Sequence, residues 1–240
     1  MKRALVTGGS GAIGTAICRE LAAAGHHVLV HAHRNVTSGA AVVESIIASG
    51  GKAEPVVFDV TDSHMVKNVL DPLVANEPIQ ILVNNAAYID DAPLVGMTPK
   101  QWLGVIDVIL NGFYNVTQPI LMPMIRSRWG RIVNVASIAA LAGNRGQANY
   151  SAAKAGVIGA SKSLAIEVAR KGITVNTVAP GIIDTEMARR TFDEAIVRSL
   201  VPMQRMGTAA EVAAVVAFLA SEAASYISGE VVSVNGAMYL

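Results

Sequence analysis

A glycine-rich turn near the N-terminus joins an apolar run to a helical pattern. The run Arg3-Ala4-Leu5-Val6 leads into Thr7-Gly8-Gly9-Ser10-Gly11-Ala12-Ile13-Gly14, and helical periodicity follows over 16–21. Glycines let the backbone approach a phosphate closely, and a helix N-terminus supplies free N–H groups and a partial positive charge. This order of strand, turn and helix predicts a dinucleotide phosphate site, to which a purely structural turn is the alternative.

The alternation of strand and helix continues to the C-terminus. Apolar strand patterns recur near residues 3–7, 27–32, 54–58, 80–83, 131–136, 173–178 and 230–234, with helical patterns between them. This alternation predicts an α/β fold, a single-domain Rossmann-type doubly wound parallel sheet of about seven strands with helices on both faces. We expect one domain over 1–240, because the motifs span the chain without a Pro/Gly/Ser-rich linker.

Charge and cysteine content exclude several classes of function. The formal net charge of +1 gives no reason to expect a nucleic-acid partner. Cys18, the one cysteine, excludes an internal disulfide, and without a Cys/His cluster we expect no metal. No stretch reaches about eighteen uninterrupted apolar residues, and the apolar run after Met1 is too short for a signal peptide. We therefore expect no membrane segment and a cytoplasmic protein.

Tyr150 and Lys154 stand four residues apart in a helical pattern, so one turn places phenol and ammonium side by side. A nearby cation lowers the pKa of a phenol towards the working range, as a general acid for a carbonyl oxygen requires. Ser137 ends the fifth predicted strand, and its hydroxyl is suited to hold the same oxygen. The alternatives are an ordinary surface helix and a serine that serves a turn or helix cap.

These motifs occur in an order and spacing that resemble those of the classical short-chain dehydrogenase/reductases. The motifs are Thr7-Gly8 with Gly14, Asn84-Asn85-Ala86-Ala87, Ser137, Tyr150 with Lys154, and Asn176 to Gly181. Within that family the chain looks most like the 3-oxoacyl-[acyl-carrier-protein] reductases. The resemblance implies NADPH-dependent reduction of a 3-oxoacyl thioester bound to acyl-carrier protein, in fatty-acid or specialised polyene or polyketide synthesis. It also implies a homotetramer, or a dimer, built on two long helical patterns over 102–125 and 150–170.

The resemblance assigns cofactor contacts to the turns that follow the strands. The implied cofactor-binding residues are Gly8, Ser10, Ile13, Gly14, Arg34, Asp59, Val60, Asn85, Ala86, Tyr150, Lys154, Pro180, Gly181, Ile183 and Thr185. Arg34 follows the second predicted strand where an NAD-selective site usually has an acid, and a guanidinium fits a 2′-phosphate. We therefore expect NADPH rather than NADH, with His33 or Asn35 assisting. His31 and His33 share one strand face, but a metal site there would lack further ligands.

The implied mechanism is hydride transfer from the nicotinamide to a ketone carbon. Tyr150 would deliver the proton to oxygen, Ser137 would orient that oxygen, and Lys154 would hold the ribose hydroxyls while lowering the pKa of Tyr150. The charge-rich stretch 184–206 has a weak periodic pattern and is the predicted substrate lid.

Three positions depart from the family pattern. Ile109 stands where the family has a tetrad Asn, and Ala12 and Ala87 replace glycines of two cofactor turns. The family uses the backbone carbonyl of the tetrad residue, which Ile also has, so we expect an active and slower enzyme.

Basic residues suggest where the substrate binds. Arg128 and Lys171 match family positions that dock the acidic carrier protein, and we expect them to flank one cleft mouth; solvated helix ends are the alternative. Arg145 and Gln147 precede Tyr150 on a loop that would border the acyl chain. Two other functions stay open, namely another short-chain alcohol/ketone or acetoacetyl-CoA reductase, and a weakly active NADP-binding subunit of a mixed oligomer.

Overall fold

The structure, a computed structural model, describes residues 1–33 and 36–240. Within these residues seven parallel strands form one sheet in the order β3-β2-β1-β4-β5-β6-β7. The strands are β1 (Arg3–Val6), β2 (His27–Ala32), β3 (Lys52–Val57), β4 (Ile81–Asn84), β5 (Gly130–Val135), β6 (Ile173–Pro180) and β7 (Val231–Val234). The predicted Rossmann-type sheet is confirmed. The strand order reverses between β1 and β4, and ligands of such sheets bind in the crevice beyond the carboxyl ends at that point.

Helices cover both faces of the sheet. They are α1 (Ala12–Ala23), α2 (Val36–Ala48), α3 (Ser63–Asn76), α4 (Pro99–Ile106), α5 (Gly112–Ser127), α6 (Ala139–Ala142), α7 (Ala148–Val168), α8 (Glu186–Thr191), α9 (Glu194–Leu200) and α10 (Ala209–Leu219). On one face α1, α2 and α10 pack over Val6 and Val30. On the other face α3, α5 and the end of α7 pack over Leu5 and Leu29. Neighbouring strand residues point to opposite faces, so the apolar strands fill two cores.

The helical pattern predicted over 102–125 is not one continuous α-helix. A π-helical segment, Asp107–Asn111, separates α4 from α5. The Gly112 N–H bonds to the carbonyl of Asp107, five residues earlier, and also to that of Ile109. A Cβ on Gly112 would lie 3.1 Å from a Val60 methyl, so glycine lets α5 begin close to the chain that follows β3. Apolar periodicity does not reveal a single extra residue in a turn, which is why the pattern predicted an unbroken helix.

The end of the sheet at which the strands begin is called the amino edge here. Arg131 lies there near the start of β5, is 3% exposed, and is surrounded by polar partners. Its guanidinium donates to the carbonyls of Gly130 and Ser221 and pairs with Glu222 at 3.2 Å. The ring of Trp129 lies 4.4 Å from that guanidinium and donates its N–H to Glu222 at 2.7 Å. Burial lowers the pKa of Arg131, and the charge of Glu222 opposes this.

In the residues that the structure describes, no helix combines the length and the apolar character that crossing a membrane needs. The same residues contain no group of three or more His, Cys, Asp or Glu side chains arranged to hold a metal ion.

Candidate active site

The fold brings Ser137, Tyr150 and Lys154 together at the end of the sheet where the strands finish, called the carboxyl edge here. Ser137 lies just after β5, and α7 carries Tyr150 in its first turn and Lys154 one turn later. The Ser137 hydroxyl lies near enough to the Tyr150 phenol to favour its charged form and so to lower its pKa. The Lys154 ammonium nitrogen lies 5.7 Å from the centre of the Tyr150 ring. Phenol, hydroxyl and ammonium therefore share one site, as the spacing predicted.

Lys154 is a buried cation, 3% exposed, that no carboxylate among the described residues pairs with. Its ammonium donates one hydrogen bond, 2.5 Å long, to the carbonyl of Val135 at the end of β5. Burial disfavours the charged form and lowers the pKa of Lys154 to about 8. The side chain thus keeps hydrogen-bonding capacity that other polar groups can use.

The pKa of Tyr150 is raised, although the sequence predicted a lowering by Lys154. Burial of the phenol is the largest cause, the Asp91 carboxylate adds to it, and the Ser137 hydroxyl opposes both. The ammonium of Lys154 is directed to Val135 rather than to the phenol oxygen. A raised pKa keeps the phenol protonated at neutral pH, which is the form that donates a proton.

Asn149, one residue before Tyr150, holds the start of α7 against two other elements. Its fully buried amide donates to the carbonyls of Asp90 and Gln101, at 3.0 Å each. Its side-chain oxygen accepts the Tyr150 N–H at 2.8 Å. The sequence patterns did not single out Asn149, although a polar side chain beside the candidate acid was a visible signal.

The two predicted substrate residues before α7 lie on the same side of the molecule as Tyr150. Gln147 precedes the first residue of α7 and donates its amide to Asp91 at 2.8 Å. Arg145 is exposed on the same loop. This loop and the chain after β4 therefore form one wall beside the phenol.

The glycine turn between β1 and α1 has the geometry that a phosphate requires. Gly8 adopts a positive φ of 63°. A Cβ on Gly14 would collide with the Gly8 carbonyl oxygen, so the turn and the helix meet at a distance that only glycine allows. Among the described residues no side chain caps α1 at Gly11, and the first N–H groups of a helix have no partner within it. These groups, with Ser10 and Ile13 beside them, fit an anionic cofactor.

Thr7 ties this turn to the end of β4. Its hydroxyl accepts the N–H groups of Asn85 and Ala86 at 2.9 and 3.0 Å. The Asn85 amide in turn donates to the carbonyls of Thr7 and Gly8. Asn85 and Ala86 therefore shape the turn whether or not they touch a ligand. The motif that includes Thr7 did not predict this role for its hydroxyl.

The residues predicted to contact the adenosine part of the cofactor lie at the ends of β2 and β3; this region is called the adenosine side here. Asp59 accepts bonds from the backbone and hydroxyl of Thr61 and contacts His33 at 2.9 Å. Val60 is buried against the start of α5. Arg34 and Asn35 lie outside the described residues, so the predicted selectivity for a 2′-phosphate stays a prediction.

The residues predicted to border the nicotinamide follow β6. Pro180 is the last residue of β6, and a Cβ on Gly181 would lie 2.8 Å from the Asn235 backbone. Ile183 is buried and bridges to Gly207, while the Thr185 hydroxyl caps α8 by accepting the Ala188 N–H. This segment starts at the same edge of the sheet as Ser137.

The predicted lid, 184–206, contains α8 and α9 rather than a patternless loop. Exposed ion pairs stabilise the two short helices, among them Arg189 with Asp184 and Arg198 with Glu194. Val197 and Val201 are the buried side chains in this segment. Segments with so few buried side chains are among the less stable parts of a fold, so the prediction that 184–206 is a lid stays a prediction.

Ile109, at the position where the resemblance implies Asn, is buried in the π-helical segment. It lines a small cavity together with Lys154 and Val157 of α7 and with Thr7 of the turn after β1. The π-helical segment that brings position 109 close to Lys154 therefore forms with Ile, without the Asn that the family has there.

Arg128 and Lys171 lie together at the amino edge, on the far side of the sheet from Ser137. Arg128 ends α5 just before β5 with a positive φ of 52°, and Lys171 is exposed just before β6. The Gly130 N–H bonds to the Gly172 carbonyl and joins the two segments. The expectation that these residues flank the cleft of their own chain is therefore wrong. They precede parallel strands, whereas the site follows them.

Known proteins are similar to this chain over its whole length. The family described as short chain dehydrogenase matches residues 2–195. The 3-oxoacyl-[acyl-carrier-protein] reductase FabG of Escherichia coli is 43% identical over 242 aligned positions, which cover 100% of this chain and 98% of that protein. The corresponding reductase of Synechocystis is 43% identical, covering 99% and 96%. FabG of Staphylococcus aureus is 42% identical, covering 100% and 98%.

Proposed function

The chain belongs to the short chain dehydrogenase family and is an oxidoreductase acting on a CH–OH/C=O pair; we propose that it uses NADPH to reduce the ketone of a 3-oxoacyl thioester on acyl-carrier protein to the 3-hydroxyacyl thioester. The observation that carries the proposal is the group of Ser137, Tyr150 and buried Lys154, which lies at the same end of the strands as the glycine turn. It occurs in a chain that aligns end to end with reductases of that name. Fatty-acid synthesis, or a specialised polyene or polyketide pathway, is the proposed context.

Each of the three side chains has a separate task in the proposed reaction. Tyr150 gives its phenolic proton to the ketone oxygen as the carbonyl carbon is reduced. The Ser137 hydroxyl holds the same oxygen and orients it. Lys154 hydrogen-bonds the sugar hydroxyls of the cofactor with the ammonium protons that Val135 does not use. The nicotinamide cofactor, when bound, supplies the hydride.

The cofactor side of the proposal rests on the chain's own turns. The first N–H groups of α1 would hold the pyrophosphate, and Asp59 and Val60 would border the adenine. Pro180, Gly181, Ile183 and Thr185 would border the nicotinamide, with 184–206 closing over the substrate. Selectivity for NADPH over NADH is proposed on Arg34.

Ile109 does not argue against activity. A backbone carbonyl, which Ile supplies as well as Asn does, is what the proposed proton path to Lys154 needs from this position. The π-helical segment that places Ile109 beside Lys154 is present in this chain.

The carrier protein and the oligomer are linked in this proposal. Arg128 and Lys171 lie at the opposite edge from Tyr150, and the 21 residues of α7 between these edges span about 30 Å. A carrier docked there serves a cleft of a second copy, which requires a dimer or the proposed homotetramer. Exposed apolar side chains on α5 and α7, such as Met122 and Ile166, suit such a contact.

The test is to measure initial rates with acetoacetyl-acyl-carrier protein, acetoacetyl-CoA and a simple ketone, each with NADPH and with NADH. The proposal expects the highest kcat/KM with the carrier-bound thioester and NADPH. The Tyr150→Phe protein is the matched control. A preference for the simple ketone or for CoA would favour another reductase of the family. Tight NADPH binding without turnover of any substrate would favour the alternative in which the chain is a weakly active NADP-binding subunit of a mixed oligomer.

A further inference from the structure

His31 is a buried histidine of β2 that the proposed reaction does not use. Its side chain is 2% exposed. Its Nδ1 accepts the Gly8 N–H at 3.0 Å, and its Nε2 lies 2.9 Å from the Phe58 carbonyl. Its ring lies against the Phe58 ring, with 4.1 Å between centroids. One imidazole therefore joins the glycine turn after β1 to the end of β3.

The two contacts fix which ring nitrogen carries the proton. A backbone N–H only donates and a carbonyl only accepts, so Nδ1 must be unprotonated and Nε2 must carry hydrogen. Burial lowers the pKa of His31 to about 4, which keeps the ring neutral. The neutral ring with hydrogen on Nε2 makes both bonds at once, which no aliphatic side chain can do.

Both ends of this bridge lie at the predicted cofactor contacts. The backbone carbonyl of His31 also accepts the Gly9 N–H, at 2.8 Å, so the residue holds two successive glycines of the turn. Phe58 immediately precedes Asp59 and Val60. The His31 side chain therefore bonds the glycine turn at one end and, at the other, the residue that precedes the predicted contacts of the adenosine side.

We propose that His31 is a positioning residue that sets cofactor affinity through the bond that its Nδ1 accepts from the Gly8 N–H, which holds the glycine turn in its phosphate-binding conformation. The proposal rests on the proposed function in one respect, namely that a nicotinamide dinucleotide binds at this turn. His31 touches no reacting atom. It acts on cofactor affinity and leaves the proton transfer from Tyr150 unchanged.

Two isosteric substitutions separate the two bonds. The side-chain oxygen of Asn occupies about the place of Nδ1, so His31→Asn keeps an acceptor for Gly8 and loses the donor to Phe58. The side-chain nitrogen of Gln reaches about as far as Nε2, so His31→Gln keeps the donor and loses the acceptor. Each variant loses one buried hydrogen bond, and the pair is therefore matched in stability.

The experiment measures the dissociation constant of NADPH by fluorescence titration without substrate, and the melting temperature of each protein. We expect His31→Gln to weaken NADPH binding about 10-fold and His31→Asn by about 2-fold or less, with similar melting temperatures, because a lost buried bond of this kind is worth about that factor. At saturating NADPH both variants should keep the kcat of the natural chain. Equal weakening in both variants, or in neither, would overturn the proposal.

A measurement on the unmodified protein covers the case in which a variant does not fold. Nitrogen-15 NMR of the imidazole should show His31 with hydrogen on Nε2 and an unprotonated Nδ1, and the Nδ1 signal should shift when NADPH is added. Hydrogen on Nδ1 would contradict the bond from Gly8. If the natural chain bound neither NADPH nor NADH, the proposed function would fail instead, so the two failures are distinguishable.

Discussion

Two buried cations, Arg131 at the amino edge of the sheet and Lys154 at the carboxyl edge, have opposite surroundings. Both are 3% exposed. Arg131 donates to several backbone carbonyls and faces the carboxylate of Glu222 at 3.2 Å. Lys154 has one carbonyl, that of Val135. Arg131, near the start of β5, is thus paired with a carboxylate. Lys154 of α7, which bonds the last residue of β5, has no carboxylate partner among the described residues.

The difference separates a stabilising role from a chemical one. A buried charge with a carboxylate and several acceptors is satisfied and holds its elements together. A buried charge without a counter-ion lowers stability and is free to interact with groups that arrive later. We therefore expect Arg131 substitutions at the amino edge to lower stability with little change in activity, and Lys154 substitutions at the carboxyl edge to lower activity without lowering stability.

The largest effect is expected for Tyr150→Phe, which removes the proton donor and keeps the ring. A positioned general acid contributes about 10²–10⁴-fold to a rate, so kcat should fall by that factor. The melting temperature should change little, because the ring still packs. Steady-state kinetics with an acetoacetyl thioester and thermal unfolding check both points. A variant that kept more than a tenth of the activity would remove Tyr150 from the proposed role.

Lys154→Met should stabilise the protein at pH 7, which is the opposite of the usual effect of a buried substitution. The pKa of Lys154 is lowered from 10.5 to about 8, and a difference of this size corresponds to at most about 3 kcal/mol. The unfolded chain binds the proton more tightly, so stability of the natural chain rises with pH between about 8 and 10.5.

Urea unfolding of both proteins at several pH values checks this expectation. The advantage of Lys154→Met should be greatest below pH 8 and should shrink towards pH 10.5, the ordinary pKa of the group. A natural chain that is more stable than the variant at pH 7 would show that other contacts neutralise Lys154.

Arg131→Met should lower the free energy of unfolding by about 2 kcal/mol, because it leaves backbone carbonyls, among them that of buried Gly130, without their donor. Arg131 lies at the far edge of the sheet from Tyr150, so kcat should stay within about 2-fold, a change of under about 0.5 kcal/mol. Urea unfolding and kinetics on one preparation check both. A loss of kcat comparable to that of Tyr150→Phe would break the separation between the two edges.

Glu222→Gln should have the smallest effect, under about 1 kcal/mol. The Glu222 side chain is 73% exposed, so solvent screens its attraction for Arg131. Gln keeps an acceptor for the Trp129 N–H. The stability difference should decline further in high salt. An unchanged difference at high salt would show that packing, rather than charge, makes the contribution of Glu222.

Local patterns in the sequence predicted the carboxyl edge far better than the amino edge. Glycine spacing and the Tyr150–Lys154 interval identified the turn and the helix that carry the site, and each motif spans only a few residues. The Arg131–Glu222 pair joins residues 91 positions apart, and periodicity contains no information about such a contact. The predicted position of Arg128 and Lys171 was wrong for a simpler reason. Residues that precede parallel strands lie opposite residues that follow them, and strand direction already implied this.

Side-chain environments were the other part that sequence did not predict. The interval between Tyr150 and Lys154 indicated a lowered phenol pKa, whereas burial raises it in the folded chain. His31 was set aside because a metal site there lacked ligands, yet its ring bonds Gly8 and Phe58. Both outcomes depend on what packs around a residue, which only the assembled fold determines.

The most direct test of the division between the two edges is a single comparison of NADPH oxidation rates with an acetoacetyl thioester. Lys154→Met and Arg131→Met would be assayed together with the natural chain, at a temperature where all three are folded. We predict that Lys154→Met loses at least about 10²-fold in kcat/KM although it is the more stable variant, and that Arg131→Met stays close to the natural chain although it is the less stable one. Retained activity in Lys154→Met, or an equal loss in both variants, would contradict the account.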